Sequence, residues 1–212
     1  MNPPTELALC VLLLSLSLTA SFETLAKGPS CGQPGFRSRN AAQSIVPLDA
    51  CEQETLSRMR EEEKLARDAY RVLHATWSRT VFLNIAESEQ RHMDAILRKL
   101  DLFGLSDPAL TEPGCFSNPQ LQSLYDRLVV EGQESPGAAL TVGAKIEEMD
   151  IRDLMAAIAG TNNVVLRITY ENLLEASKNH LRTFVRQLWR QGTDYDGPHF
   201  IDPILYEAIL GL

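Results

Sequence analysis

The chain has 212 residues, enough for one domain with a sizeable core, and its 44% hydrophobic and 23% charged content is that of a globular protein. A net charge of −8 argues against nucleic acid and anionic membrane surfaces as partners. Only 7% of residues are aromatic and runs of Val, Ile and Thr are few, so helices are expected rather than strands.

The first element along the chain is an apolar run, Leu7 to Ala20, "LALCVLLLSLSLTA". It has the length of a signal-peptide core and is short for a bilayer span; small residues follow, with Ala20-Ser21 as the cleavage point. The preceding "MNPPTE" carries Glu6 and no Lys or Arg, which leaves a retained single-helix anchor or a wrongly assigned start as the alternative. The expectation is a signal peptide over 1–20 and an exported protein, periplasmic or secreted, free of the membrane after cleavage. Residues 21–50, rich in Gly, Pro, Ser and Asn, read as a flexible leader to a helical domain over 51–212. Cys31, Cys51 and Cys115 then remain; without a Cys-x-x-Cys spacing a thiolate zinc site is not expected. Cys31 and Cys51 could pair in an oxidising compartment, but the connectivity stays open.

Four long segments follow with helical period. The first, about Glu52 to Trp77, carries the stripe Leu56, Met59, Glu63, Ala66, Tyr70, Leu73, Trp77. The second, about Thr80 to Leu100, carries Phe82, Ile85, Glu89, His92 and Ile96. A connection of about 35 residues comes next, holding a short helix at Gln120 to Val130. The third long helix has Ser135 as N-cap, Pro136 at its first position and Gly160 after its last periodic residue, with the stripe Leu140, Ala144, Glu147, Ile151, Leu154, Ile158. The fourth, from near Thr161 to about Trp189, carries Val165, Thr169, Leu173, Ala176, His180 and Phe184. The tail reads as a turn and a short helix. Short links within each pair and one long connection between pairs predict two antiparallel hairpins joined by a crossover, the ferritin-like arrangement of an all-α four-helix bundle.

Each apolar stripe is interrupted, and the interruptions are chemically alike: Glu63, then Glu89 with His92, then Glu147, then His180. Residues i and i+3 share a helix face about 4.5 Å apart along the axis, so Glu89 and His92 can reach one point. Several carboxylates in one core need neutralising cations, and three carboxylates with two imidazoles suit iron or manganese. Each residue alone has a bland reading as a surface pair, a charged helix start or a core histidine. The coincidence on four helices points to metal.

Glu63 with Tyr70, Glu89-x-x-His92, Glu147 and His180 resemble the di-iron carboxylate pattern of ferritins and rubrerythrins. More closely, "EEEKLARDAY", "FLNIAESEQRHM", "DPALTEPGCF", "VGAKIEEMDIRDL" and "SKNHLRTF" resemble an exported ferritin-like family catalogued as domain of unknown function 2202, over about residues 52–212. The resemblance implies iron, up to two ions per chain, with manganese or zinc less favoured. It implies Glu63 as a terminal carboxylate, Glu89 as a bridge, His92 on the same metal, and Glu147 with His180 on the second. One departure stands out: the symmetric pattern has a second Glu-x-x-His, and Ser177 occupies its carboxylate position. Glu148, Asp150, Glu171, Glu175 or water could compensate, Glu148 being nearest the stripe, or else only one metal would bind tightly. Tyr70 is the candidate catalytic phenol, able to hydrogen-bond a metal ligand or pass an electron, or else a core aromatic with a satisfied hydroxyl. Arg67 and Asp68 read as a solvated or interhelical ion pair, and Trp77 and Trp189 as core residues at helix ends.

The implied chemistry is oxidation of Fe(II) by dioxygen or peroxide, or reduction of peroxide, with metal ions and the oxidant as partners and a homodimer left open. No four-cysteine, rubredoxin-like module follows the bundle, so an electron donor would be external. The alternative is a non-catalytic metal-binding or scaffold bundle of the cell envelope.

Overall fold

The computed structural model describes residues 46–212. The expected signal peptide, nearly all of the leader and Cys31 lie outside the described residues. α1 (Ala50–Trp77) starts where Asp49 accepts from Glu52 N at 2.8 Å and Glu52 accepts from Asp49 N at 3.1 Å. This reciprocal pair satisfies two of the helix's orphan donors and fixes its start. Ser78, in the left-handed region at φ 53°, ends it, and Arg79 leads directly into α2 (Thr80–Phe103). So short a link leaves the chain no course but to fold back antiparallel.

In the long connection, Asn118 caps α3 (Pro119–Gly132), a turn longer than predicted. α4 (Pro136–Gly160) begins as expected, with Ser135 as cap and Pro136 at the first position. Its end differs from expectation. Gly160 is the last helical residue, and Thr161 belongs to the link between helices instead of opening the next one. Thr161 Oγ1 donates to Glu52 Oε1 at 2.6 Å and accepts from Asn163 N at 3.0 Å, so a hydroxyl supplies the turn chemistry. Asn163 then caps α5 (Val164–Trp189), and Asp202 caps α6 (Pro203–Leu210).

Among the described residues the protein is therefore all-α, an α-helical bundle of two hairpins with the expected crossover. α1 pairs along α2 and α4 along α5; α1 also flanks α4 and α2 flanks α5. α3 lies across α1 and α4, and α6 rests on α5. Leu56, Leu73, Phe82, Ile96, Leu140, Leu181 and Phe184 are fully buried between the hairpins. Each such side chain contributes about 2 kcal/mol of transfer free energy. Gly143 lets α4 approach α5, since a Cβ there would meet the Phe184 ring at 2.6 Å.

Three expectations are corrected. Val165 and Trp189 are 40% and 39% exposed, because the inward face of α5 keeps Thr169, Leu173 and Phe184 of the predicted stripe but takes Leu166, Tyr170, Ser177, Leu181 and Leu188 for the rest. His180 stands at its margin. Asp68 is buried rather than solvated: Lys64 Nζ reaches its Oδ2 at 2.7 Å and Arg67 NH2 its Oδ1 at 2.7 Å. Lys64 also donates to the Glu112 and Cys115 carbonyls at 2.9 and 3.1 Å, so this group ties the crossover to α1. Arg67 does reach across to α2, donating to Gln90 at 2.6 Å. Trp77, half-buried, donates to the Gly132 carbonyl at 2.8 Å as a helix-end anchor should. Cys51 and Cys115 are both exposed and not bonded to each other.

Candidate metal centre

The four core helices each bring a polar side chain to one level of the interior. α1 supplies Glu63, α2 supplies Glu89 and His92, α4 supplies Glu147 and α5 supplies His180. Glu89 and Glu147 are fully buried, Glu63 is 2% exposed and His92 7%, while the His180 side chain is 12% exposed. These residues form two groups, Glu63–Glu89–His92 and Glu89–Glu147–His180, each offering ligand atoms within 4.8 Å of one another. Glu89 belongs to both. Its Oε2 lies 2.7 Å from His92 Nδ1 and its Oε1 2.9 Å from His180 Nδ1. The second oxygens close the groups: Glu63 Oε2 stands 3.1 Å from His92 Nδ1 and Glu147 Oε2 3.4 Å from His180 Nδ1. The two imidazoles stack at a 5.7 Å centroid distance on either side of the shared carboxylate.

Two observations test whether a metal fits. The first is spacing: ligands about 2.1 Å from one ion stand about 3 Å apart along an octahedral edge, as these do. The second is satisfaction. Both oxygens of Glu89, Oε2 of Glu147 and Nδ1 of His180 have no hydrogen-bond partner. The contacts of Glu89 are close but not aligned as hydrogen bonds, so its two oxygens lack well-directed donors. Unsatisfied buried carboxylate oxygens are costly and rare, and a cation at each group would satisfy them together. These buried Glu and His groups could hold metal ions, and hard oxygen with borderline nitrogen donors is the set for first-row divalent metals.

The electrostatics agree. Burial pushes the Glu63 carboxyl up to about 8, against the pull of His92. Burial would lower both histidines, but Glu63 and Glu89 lift His92 to about 11, and Glu147 and Glu89 lift His180 to about 10. Burial would raise Glu89, yet His180 and His92 hold it well below the carboxylate range. Glu147 is raised by burial, with the Glu89 charge adding to it. The metal-free cluster keeps protons where cations would sit.

Around this centre the other candidates sort clearly. Tyr70 OH donates to Glu147 Oε1 at 2.6 Å and lies 3.3 Å from the Gly143 carbonyl, so it fixes the Glu147 carboxylate. Its ring is buried against Phe82 and Phe184. Burial and the nearby Glu147 and Glu89 charges push the phenol well above its ordinary range. Ser177 is buried but turns its hydroxyl back to the Leu173 carbonyl at 3.2 Å, so it offers no charge. Glu148, the first candidate to compensate, faces away: its Oε2 accepts from His199 N and Phe200 N at 2.6 and 2.7 Å and holds the tail. Glu171 and Glu175 are exposed, Glu175 pairing with Lys178 at 2.7 Å. Asp150 is different. It lies one turn after Glu147, 9% exposed, and its Oδ2 has no partner. Burial and the charges of Glu63, Glu147 and Glu89 push it well above its ordinary range. The signal in sequence is the Glu147-x-x-Asp150 spacing, which repeats the helix-face logic of Glu89 and His92.

An all-helical bundle with a buried carboxylate–imidazole cluster is the class of protein defined so far. Within it, the chain belongs to the family described as Uncharacterized protein domain (DUF2202), which matches residues 52–210. It is similar to an uncharacterized protein, MJ0754, of Methanocaldococcus jannaschii, with 46% identity over 165 residues that cover 77% of this chain and 89% of the relative. The crystal structure of hypothetical protein MJ0754 from that source superposes with a TM-score of 0.77 at 45% identity, covering 79% of this chain and 95% of the other.

Proposed function

We propose that this protein is a ferritin-like bundle that binds iron at a dinuclear centre and oxidises Fe(II) with dioxygen or reduces peroxide. The observation that carries the reading is Glu89, whose two unpartnered oxygens each face a different imidazole. Glu63 and His92 would complete one position and Glu147 and His180 the other. Bound iron would supply the electrons exchanged with the oxidant. The chain's own part is to orient and to exclude water. Tyr70 holds Glu147, the Phe82 and Phe184 rings wall the core, and His92 and His180 give up protons as cations arrive. A cavity of about 360 Å³ between α2 and α5, lined by Thr80, Asn84, Ser88, Arg91, His180 and Gln187, leads a small oxidant to the His180 side.

Anaerobic loading with Fe(II) followed by air tests this. Wild-type protein should develop near-ultraviolet ferric absorbance faster than free Fe(II) does, and Glu89→Ala should not. Tight binding without oxidation would favour the second reading, a non-catalytic metal-binding or scaffold bundle, to which the uncharged Ser177 lends weight. Export belongs to the same proposal and rests on the Leu7–Ala20 run alone. N-terminal sequencing of native protein should find Ser21, and an intact Met1 would defeat it.

A further inference from the structure

A second cavity opens where α1, α3 and α4 meet, on the side of the bundle away from the α2–α5 opening. Its volume is about 80 Å³, room for several waters at the roughly 10–15 Å³ each needs. Three carboxylates line it, Glu62, Asp150 and Asp153, against one guanidinium, Arg152. Asp153 is engaged by Arg152 through two contacts of 2.8 Å, and Glu62 keeps Arg58 at 3.8 Å on the outer side. One oxygen on each of the other two carboxyl groups is not engaged. Glu62 Oε2 has no partner, and neither has Oδ2 of Asp150, more than nine-tenths buried at the cavity's inner end. Leu65, Leu121, Leu124, Ile146 and Met149 form the remaining wall. Asp150 links this cavity to the buried cluster, since it follows Glu147 by one turn on the same face of α4.

We propose that this cavity is the inlet through which divalent cations reach the buried centre, with Glu62 and Asp153 at its mouth and Asp150 as the inner relay carboxylate. The inference rests on the metal-binding reading above and adds the route. Carboxyl groups outnumber the one guanidinium in these walls, and such an excess in a low-dielectric cavity attracts counter-ions. An unpaired carboxylate oxygen at the inner end offers the arriving ion a ligand as it sheds water. The α2–α5 opening lacks this character, because its polar lining is amides, hydroxyls, Arg91 and the His180 imidazole, with no carboxylate. The two openings thus differ in sign, and a cation is drawn to the acidic one. A route speeds arrival and departure alike, so removing charge at its mouth slows both while leaving equilibrium affinity in place.

Stopped-flow uptake of Co(II) by metal-free full-length protein, followed by the ligand-field absorbance of the bound ion, tests the route without any turnover. The double variant Glu62→Gln/Asp153→Asn should take up Co(II) about tenfold more slowly than wild type, the lower end of what electrostatic focusing delivers. Its final stoichiometry should be unchanged, and its rate should respond less to added salt. Asp150→Asn, nearly isosteric, should also slow uptake. Asn84→Leu, which narrows the α2–α5 opening, should leave the rate alone. Wild-type rates in the acidic-cavity variants, or slowing in Asn84→Leu alone, would overturn the route while leaving the metal centre standing. A wild-type protein that binds no Co(II) would overturn both.

Discussion

At Glu89 two imidazoles approach one carboxylate, each on its own oxygen, and the neighbouring carboxylates Glu63 and Glu147 approach only one imidazole each. The variants should therefore divide by position. Glu89→Gln should lose tight binding at both positions, whereas Glu63→Gln or Glu147→Gln should each weaken one; metal analysis of purified variants, with circular dichroism as the check on helicity, measures this. Protonation adds a second expectation. In metal-free protein His92 and His180 titrate at about 11 and 10, above the ordinary 6.5, so their stabilising contribution is full below pH 6.5 and is lost as pH rises through those values. Glu63 acts in the same direction: it stays protonated to about 8 when folded but ionises near 4.5 when unfolded, so stability falls between the two. The metal-free melting temperature should thus decline from pH 6.5 to pH 10. Metal competes with these protons, so metal affinity should rise over the same range, and a titration in weak buffer should release acid. A flat affinity between pH 6.5 and 8.5 would contradict the protonated cluster.

Among the helices, α5 is where the pattern is least symmetric. Ser177 sits one turn before His180, fully within the core and without charge. Two ions should accordingly bind with unequal affinity, the Glu147–His180 position being the weaker. Ser177→Glu should tighten that position and destabilise the metal-free protein, since it buries a carboxylate with no cation beside it. Equal affinities in the parent, or no gain in the variant, would count against this. On α1, Lys64 binds Asp68 and two crossover carbonyls from a fully buried position. Lys64→Met should cost about 3 kcal/mol in urea unfolding, the low end for breaking a buried pair, because Arg67 still holds Asp68. These two helices also mark how far the sequence could be read. The long helices and the level of Glu63, Glu89, His92, Glu147 and His180 were legible because a 3.6-residue period makes a polar interruption visible. Lys64 and Asp68 were not, because "EEEK" has the composition of a solvated helix start and only the folded crossover supplies carbonyls to it. Glu148 misled for a related reason: two consecutive carboxylates on one helix diverge by about 100°, and nothing local says that the tail, fifty residues on, will claim the second. The exposure of Val165 escaped because Val165 and Leu166 are equally apolar.

At the scale of the whole molecule the centre is an intersection of two hairpins. α1 and α2 bring Glu63, Glu89 and His92 from one, and α4 and α5 bring Glu147 and His180 from the other. Ions bound there would cross-link the hairpins, and ligand that binds only the folded state stabilises it by mass action. An acidic cavity lies on the α1–α3–α4 side and an uncharged-to-basic opening on the α2–α5 side. The net charge of −8 makes the protein as a whole attractive to cations. Whether Glu89 serves two metal positions, as proposed, is tested most directly by anomalous diffraction at the iron edge from crystals loaded anaerobically with Fe(II). Two anomalous peaks should flank Glu89, one beside Glu63 and His92 and a weaker one beside Glu147 and His180. A bundle core without an anomalous peak, with iron confined to the surface, would contradict it.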